Sequence, residues 1–213
     1  LTSEGDLNAA AKAWRKLIKE WPDRVEPYLN LAIVLERSCH YVEAASMLLK
    51  AMGLCEDGTY QWAESVAEAF DMLKTPDCDE MPKPEWWNDE GLKALSARVV
   101  ALAPEKTHPC AMRALVLEGD ALLYRAKWNA GPRTAAEIKD AATWYRRAAR
   151  VSSTPVDEQR DELHASRCDA VAELLLAKEE EEAAEARAAA EAEAAEALKV
   201  AEAKATAAAE ELL

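Results

Sequence analysis

Glycine and phenylalanine are scarce in this chain of 213 residues: there are six Gly and one Phe. Strands and tight hairpins draw on Gly turns and β-branched or aromatic runs, so this poverty argues against sheets. No apolar run is long enough to span a bilayer. No basic excess exists either, because 40 acidic side chains face 26 basic ones. That balance disfavours nucleic acid, whose phosphates need a positive footprint. Five cysteines are present without a single C-x-x-C pair, which signals neither a zinc knuckle nor a disulfide framework and points to an intracellular, reducing compartment. The cytoplasm, a cilium or an organelle interior fits equally.

Catalytic signatures are missing as well. Trp21-Pro22-Asp23 is the triplet of the mobile acid loop of tyrosine phosphatases. That chemistry also needs a nucleophilic Cys with an Arg six positions later. Six positions after Cys39, Cys55, Cys78, Cys110 and Cys168 stand Ala45, Gln61, Pro84, Val116 and Leu174. The thiolate therefore lacks its phosphate cradle, and Trp21–Asp23 reads as a bend. His164 and Cys168, four apart on a helix face, could hold a metal, with His108 and Cys110 as further ligands. A packed Cys beside a solvated His is the favoured reading. Asp77, Asp79 and Glu80 lack the Gly and ligand spacing of a calcium loop. No phosphate loop or zincin motif appears. The sequence thus reads as non-enzymatic, with no cofactor and no metal.

What is abundant is alanine in helical periodicity. Within residues 7–20, Ala10, Trp14, Leu17 and Ile18 fall on one stripe with basic residues opposite. Pro22 stops that helix. Pro27 sits near the start of the next, over residues 26–38, and residues 41–54 form a third. A shift of 34 residues sets Ala10 on Ala44, Trp14 on Leu48, Leu17 on Ala51 and Leu7 on Tyr41. The unit Val25–Gly58 carries Tyr28, Leu31, Ala32 and Leu35, then Tyr41, Ala44, Leu48 and Ala51. A third unit over 59–104 is interrupted by "TPDCDEMPKPEWW" at 75–87 and closes with "DEGLKALSARVVALAP". A fourth pair of helices is expected over Ala111–Arg125 and Thr134–Val151, with "AKWNAGPR" between them.

This 34-residue unit, with small residues at helix crossings and large ones filling the gaps, resembles the tetratricopeptide repeat (TPR) family. One repeat matches strongly and the others are degenerate. The resemblance implies an all-α, right-handed helical-hairpin solenoid over residues 1–155. It also implies a scaffold or adaptor subunit that binds other proteins in a groove lined by the first helix of each repeat. The groove positions would be Glu26, Leu29, Asn30, Ile33 and Arg37, then Tyr60, Ala63, Glu64, Ala67 and Phe70. A transient co-chaperone is the alternative. Asn30 matches the carboxylate clamp of that class, but Tyr60 and Glu64 stand where basic residues should be, and a Glu repels a carboxylate. The loop pair Trp86 and Trp87 either covers the gap between repeats or docks a neighbour.

Past Pro155 the pattern changes. Residues 156–177 read as a capping helix with an apolar stripe of Leu163, Val171, Leu174 and Leu175. From Val156 onward 17 acidic residues meet 6 basic ones. Residues 178–213 hold 16 Ala and 11 Glu, with no Pro or Gly. Such a segment favours an extended helix, and its lack of large heptad residues argues against an ordinary coiled coil. The expectation is a tail that reaches a neighbouring subunit.

Overall fold

The computed structural model describes residues 4–119 and 133–210, and among these the fold is all-α, with no strand. The helices are α1 (Glu4–Glu20), α2 (Val25–Arg37), α3 (Tyr41–Leu54), α4 (Tyr60–Leu73), α5 (Asp89–Leu102), α6 (Thr107–Glu118), α7 (Ala135–Val151) and α8 (Pro155–Glu210). A short 3-10 turn, Pro76–Cys78, follows α4. Each helix packs on the next along the chain, and α4 also packs on α6. That order of contacts is a stack of helical hairpins.

The turn at Trp21–Asp23 is held as the Pro predicts. Pro22 ends α1, and the Tyr28 hydroxyl donates to the Pro22 carbonyl at 3.0 Å. Trp21 is half exposed. The hairpin α2–α3 turns at Ser38–His40. Ala44 and Ala51 are fully buried there, as close helix approach requires, while Leu31, Leu35 and Leu48 fill the space between them. On α1 the stripe of Ala10, Trp14, Leu17 and Ile18 turns inward, and neighbouring Ala11 is the most buried of that face.

Several helix starts are fixed by local hydrogen bonds that satisfy otherwise orphaned N–H groups. The Thr59 hydroxyl accepts from Trp62 N–H at 3.2 Å and Asn88 Oδ1 accepts from Gly91 N–H at 2.9 Å. At α7 a capping box forms. Thr134 Oγ1 accepts from Glu137 N–H at 3.2 Å, and Glu137 Oε2 accepts from Thr134 N–H at 3.0 Å. The first helix of the fourth pair starts earlier than Ala111, at Thr107. It stops at Glu118 because Gly119 takes a left-handed conformation (φ 56°) and its N–H bonds back to Leu115. The remainder of the expected Ala111–Arg125 helix, and "AKWNAGPR" up to Pro132, lie outside the described residues.

Among the described residues two apolar clusters form the interior. The larger joins α1 to α6 around Leu31, Val66, Phe70, Leu73, Leu92 and Val116. The smaller joins α6, α7 and α8 around Leu117, Ile138, Tyr145 and Cys168. Leu115 touches both. Beside them, Arg133, almost fully buried, pairs with Asp89 of α5 and with Glu137 of α7, and Lys93 pairs with both of those carboxylates. This ionic cluster ties α5 to α7.

The last helix corrects one expectation. The stripe of Leu163, Val171, Leu174 and Leu175 does not pack on the stack as a set. Leu163 and Leu174 are each 71% exposed and Val171 is exposed too, while Leu175 alone is half-buried. The packed face is Asp161, Ala165, Cys168 and Ala172, with Leu175 at its edge. Small residues won because α8 approaches α7 closely, and a Leu at those positions would force the helices apart. Beyond Leu175 the helix continues without a break to Glu210, and its described side chains are exposed.

Candidate functional site

Between α2, α4 and α6 lies a hollow of about 210 Å³. Ala32, Ile33, Leu48 and Met72 give it an apolar floor, and Glu36, Glu68, Asp71 and His108 stand at its rim. The rim follows from helical spacing. Tyr60, Glu64, Glu68 and Asp71 form one stripe of α4, and the opposite stripe, Trp62, Val66, Ala69 and Leu73, is buried. Burial pushes Glu68 above the usual carboxylate range. His108 opposes that push, and the carboxylates of Glu64, Glu36 and Asp71 add to it. Lys74 pairs with Asp71, and Glu36 and Glu68 stand beside that pair where a further cation would be stabilised.

At one end of the hollow Lys106 lies over the Tyr60 ring at 5.5 Å, with Glu64 Oε2 3.9 Å from its Nζ. The Lys106 ammonium is held above its ordinary value by Tyr60 first and Glu64 second.

Of the groove positions implied by the repeat resemblance, Ile33 lines the hollow, and Tyr60 and Glu64 lie beside it through Lys106. Asn30 turns back on its own helix, its Nδ2 donating to the Glu26 backbone carbonyl at 2.8 Å, and the Glu26 side chain is exposed. Leu29 is half-buried against the larger cluster and Arg37 is exposed away from the hollow. Ala63, Ala67 and Phe70 are core residues rather than groove residues. Phe70 points inward because it follows Ala63, Val66 and Ala67 on the buried side of α4. Glu36, Glu68, Asp71 and His108 were not among the sequence candidates. Glu64 and Glu68, four apart on α4, were the signal for one side of this rim, and nothing in the sequence marks Glu36 or His108, which come from two other helices.

The loop tryptophans part company. Trp87 is buried and packs its ring 5.6 Å from Phe70, with Lys83 Nζ 5.2 Å above it, so it seals the gap left by the insertion and is not a docking anchor. Lys83 also donates to the Leu73 carbonyl at 2.9 Å and to the Cys78 carbonyl at 2.6 Å, which pins the loop. Trp86 is half-buried. It lines a second hollow of about 350 Å³ with Met52, Trp62, Leu95 and Arg98. Gly91 permits that loop to lie close, because a Cβ there would stand 2.6 Å from the Trp86 carbonyl oxygen.

Cys78, Cys110 and Cys168 are buried, whereas Cys39 is exposed. The five cysteines are free thiols. Burial drives Cys110 up to about 11 and Cys168 up to about 12, which leaves both protonated and unreactive. His164 stacks on Tyr145 with ring centroids 5.1 Å apart. Among the described residues no group of three or more His, Cys, Asp and Glu side chains is arranged to hold a metal ion. Among them, too, no helix is long and apolar enough to cross a membrane.

No protein-family model matches the sequence, and no curated protein matches it significantly. Among solved structures, that of MamA superposes with a TM-score of 0.42 and 16% identity, covering 84% of this chain and 92% of that one. A superposition of that quality carries no argument about function.

Proposed function

We propose that this chain is a non-catalytic, TPR-like scaffold or adaptor that holds a basic, amphipathic segment of another protein between α2, α4 and α6. The observation that carries this reading is the acidic rim over an apolar floor: Glu36, Glu68 and Asp71 around Ile33 and Met72. A lysine or arginine head would meet the carboxylates while an adjacent apolar side chain covers the floor. The same rim opposes the co-chaperone alternative, whose ligand ends in carboxylates. In this reading residues 1–155 are the binding body, 156–177 its cap and 178–213 an arm toward a neighbouring subunit. The partners are proteins rather than nucleic acid or a membrane. The absence of cystine supports a reducing compartment.

The test is fluorescence anisotropy with two peptide sets, one Lys/Arg-rich and amphipathic, the other acidic at its C-terminus. Basic peptides are expected to bind, more weakly as salt rises. The double variant Glu68→Lys/Asp71→Lys should weaken binding about tenfold or more, which corresponds to about 1.4 kcal/mol. Preference for the acidic set, or binding of basic peptides untouched by the charge reversal, would refute the assignment.

A further inference from the structure

The outward face of α8 carries a seam that the hairpin stack leaves uncovered. Val156, Leu163, Ala170 and Ala177 recur every seven residues, and all are exposed. Arg160, Arg167 and Leu174 interleave with them at alternating steps of four and three, and they are exposed as well. Val156 is 75% exposed, and Leu163 and Leu174 are 71% exposed each. This face lies across the helix from Asp161, Ala165, Cys168 and Ala172, which pack on α7. It is therefore accessible along its whole length. The same rhythm continues into the tail as Glu181, Ala184, Ala188, Glu191 and Ala195, all exposed. The seam is bulky and basic in its first half, small and acidic in its second.

We propose that this seam pairs two copies of the chain through antiparallel α8 helices, the first half of each lying on the second half of the other. It rests on the reading of residues 178–213 as a contact arm and names the neighbour that the arm meets.

Two observations select this occupant. The first is charge. A parallel pair in register would set Arg160 on Arg160, Arg167 on Arg167 and Glu181 on Glu181, which is repulsive at every charged layer. Reversing one helix sets Arg160 beside Glu191 of the second copy and brings Arg167 near its Glu181. The second is size. In that reversed register Leu174 meets Ala177, Leu163 meets Ala188 and Val156 meets Ala195 of the second copy. Every large residue then lies against a small one, as interdigitated helices need. The overlap runs from residue 156 to residue 195, about 60 Å at ~1.5 Å per residue. A two-fold axis relates the copies, so each contact occurs twice and the assembly closes at a dimer. The bodies lie on opposite outer sides of the helix pair, because each packs on the far face of its own α8.

The full chain should sediment and scatter as a dimer whose dissociation constant rises with salt. Leu163→Glu/Leu174→Glu changes only exposed positions, so the variant should keep its helicity and melting temperature and run as a monomer. Register is read by oxidative cross-linking in a background where exposed Cys39 is Ser. Leu163→Cys/Ala188→Cys should form a covalent dimer, and Leu163→Cys alone should not. A monomer at every accessible concentration overturns the proposal. So does a dimer that survives the double Glu substitution, or one that cross-links 163 to 163. Peptide binding to the groove, measured on the same monomeric variant, is expected to persist. Failure of the unsubstituted chain to bind the basic peptides while it still dimerises would instead strike the groove reading.

Discussion

Cys39 is the one described non-glycine residue with a left-handed backbone, at φ 60°. It stands just past the end of α2, where the chain reverses into α3. The surrounding hydrogen bonds close that end: His40 N–H donates to the Leu35 carbonyl at 2.8 Å and Cys39 N–H to the Glu36 carbonyl at 2.9 Å. This double closure is the Schellman arrangement, which normally places glycine at the left-handed position. An L-residue there costs about 1–2 kcal/mol, because its Cβ crowds the following carbonyl. Glycine removes that crowding but adds unfolded-chain freedom worth about 0.4–1 kcal/mol. Cys39→Gly should therefore stabilise the fold by about 0.8 kcal/mol, the difference of the two midpoints. In a domain of this size that raises the melting temperature by about 2 °C. The thiol contributes little to the balance, since its one hydrogen bond, from the Tyr41 hydroxyl, is long at 3.6 Å and exposed. Cys39→Ala retains the Cβ and isolates that contact, so it should be nearly neutral. Cys39→Val adds a β-branch and should fall below Ala. The assay is a urea unfolding midpoint for the four chains, with the slope required to stay constant. The reasoning fails if Gly proves no more stable than Ala.

Other substitutions read other joints of the stack. At Gly119 a Cβ would stand 2.0 Å from Arg133 Nε and sit on a left-handed backbone, so Gly119→Ala should lose at least about 2 kcal/mol, measured by the same midpoint. Burial raises Asp161 above the ordinary carboxylate range. The folded chain thus holds a proton there more readily than the unfolded chain, and stability falls as pH rises from the unfolded value through the raised one. Asp161→Asn should flatten that slope and leave the protein more stable at neutral pH, and a less stable variant at neutral pH would contradict the sign.

Much of the stack was legible in the sequence because its signals are redundant. The α2–α3 hairpin announces itself through Pro22 and Pro27, through Ala44 and Ala51 at close crossings, and through Leu31, Leu35 and Leu48 between them. The third unit was located despite its insertion through Trp62, Ala69 and Phe70, and the structure adds the reason its helices start where they do, the caps at Thr59 and Asn88. The last helix was misread on its packing face for a physical reason. Hydrophobicity favours Leu163 and Leu174 over Ala165 and Cys168 as buried residues, but a close helix contact selects for size and not for hydrophobicity. The groove was half legible. Ile33, Tyr60 and Glu64 fell near it, whereas Phe70 went to the core and Glu36, Glu68, Asp71 and His108 came forward. Their convergence depends on how three helices sit together in space, and no single-helix periodicity contains that information.

The unbroken run of α8 also has a mechanical consequence. The helix is gripped by α7 only as far as about Leu175, and some 35 residues extend past that grip, about 52 Å at ~1.5 Å per residue. The gripping surface is made of the small side chains Ala165, Cys168 and Ala172. A lever of that length moves its tip by nearly an ångström for each degree of tilt at the fulcrum. A tilt of a few degrees at the fulcrum would carry Glu210 by several ångströms.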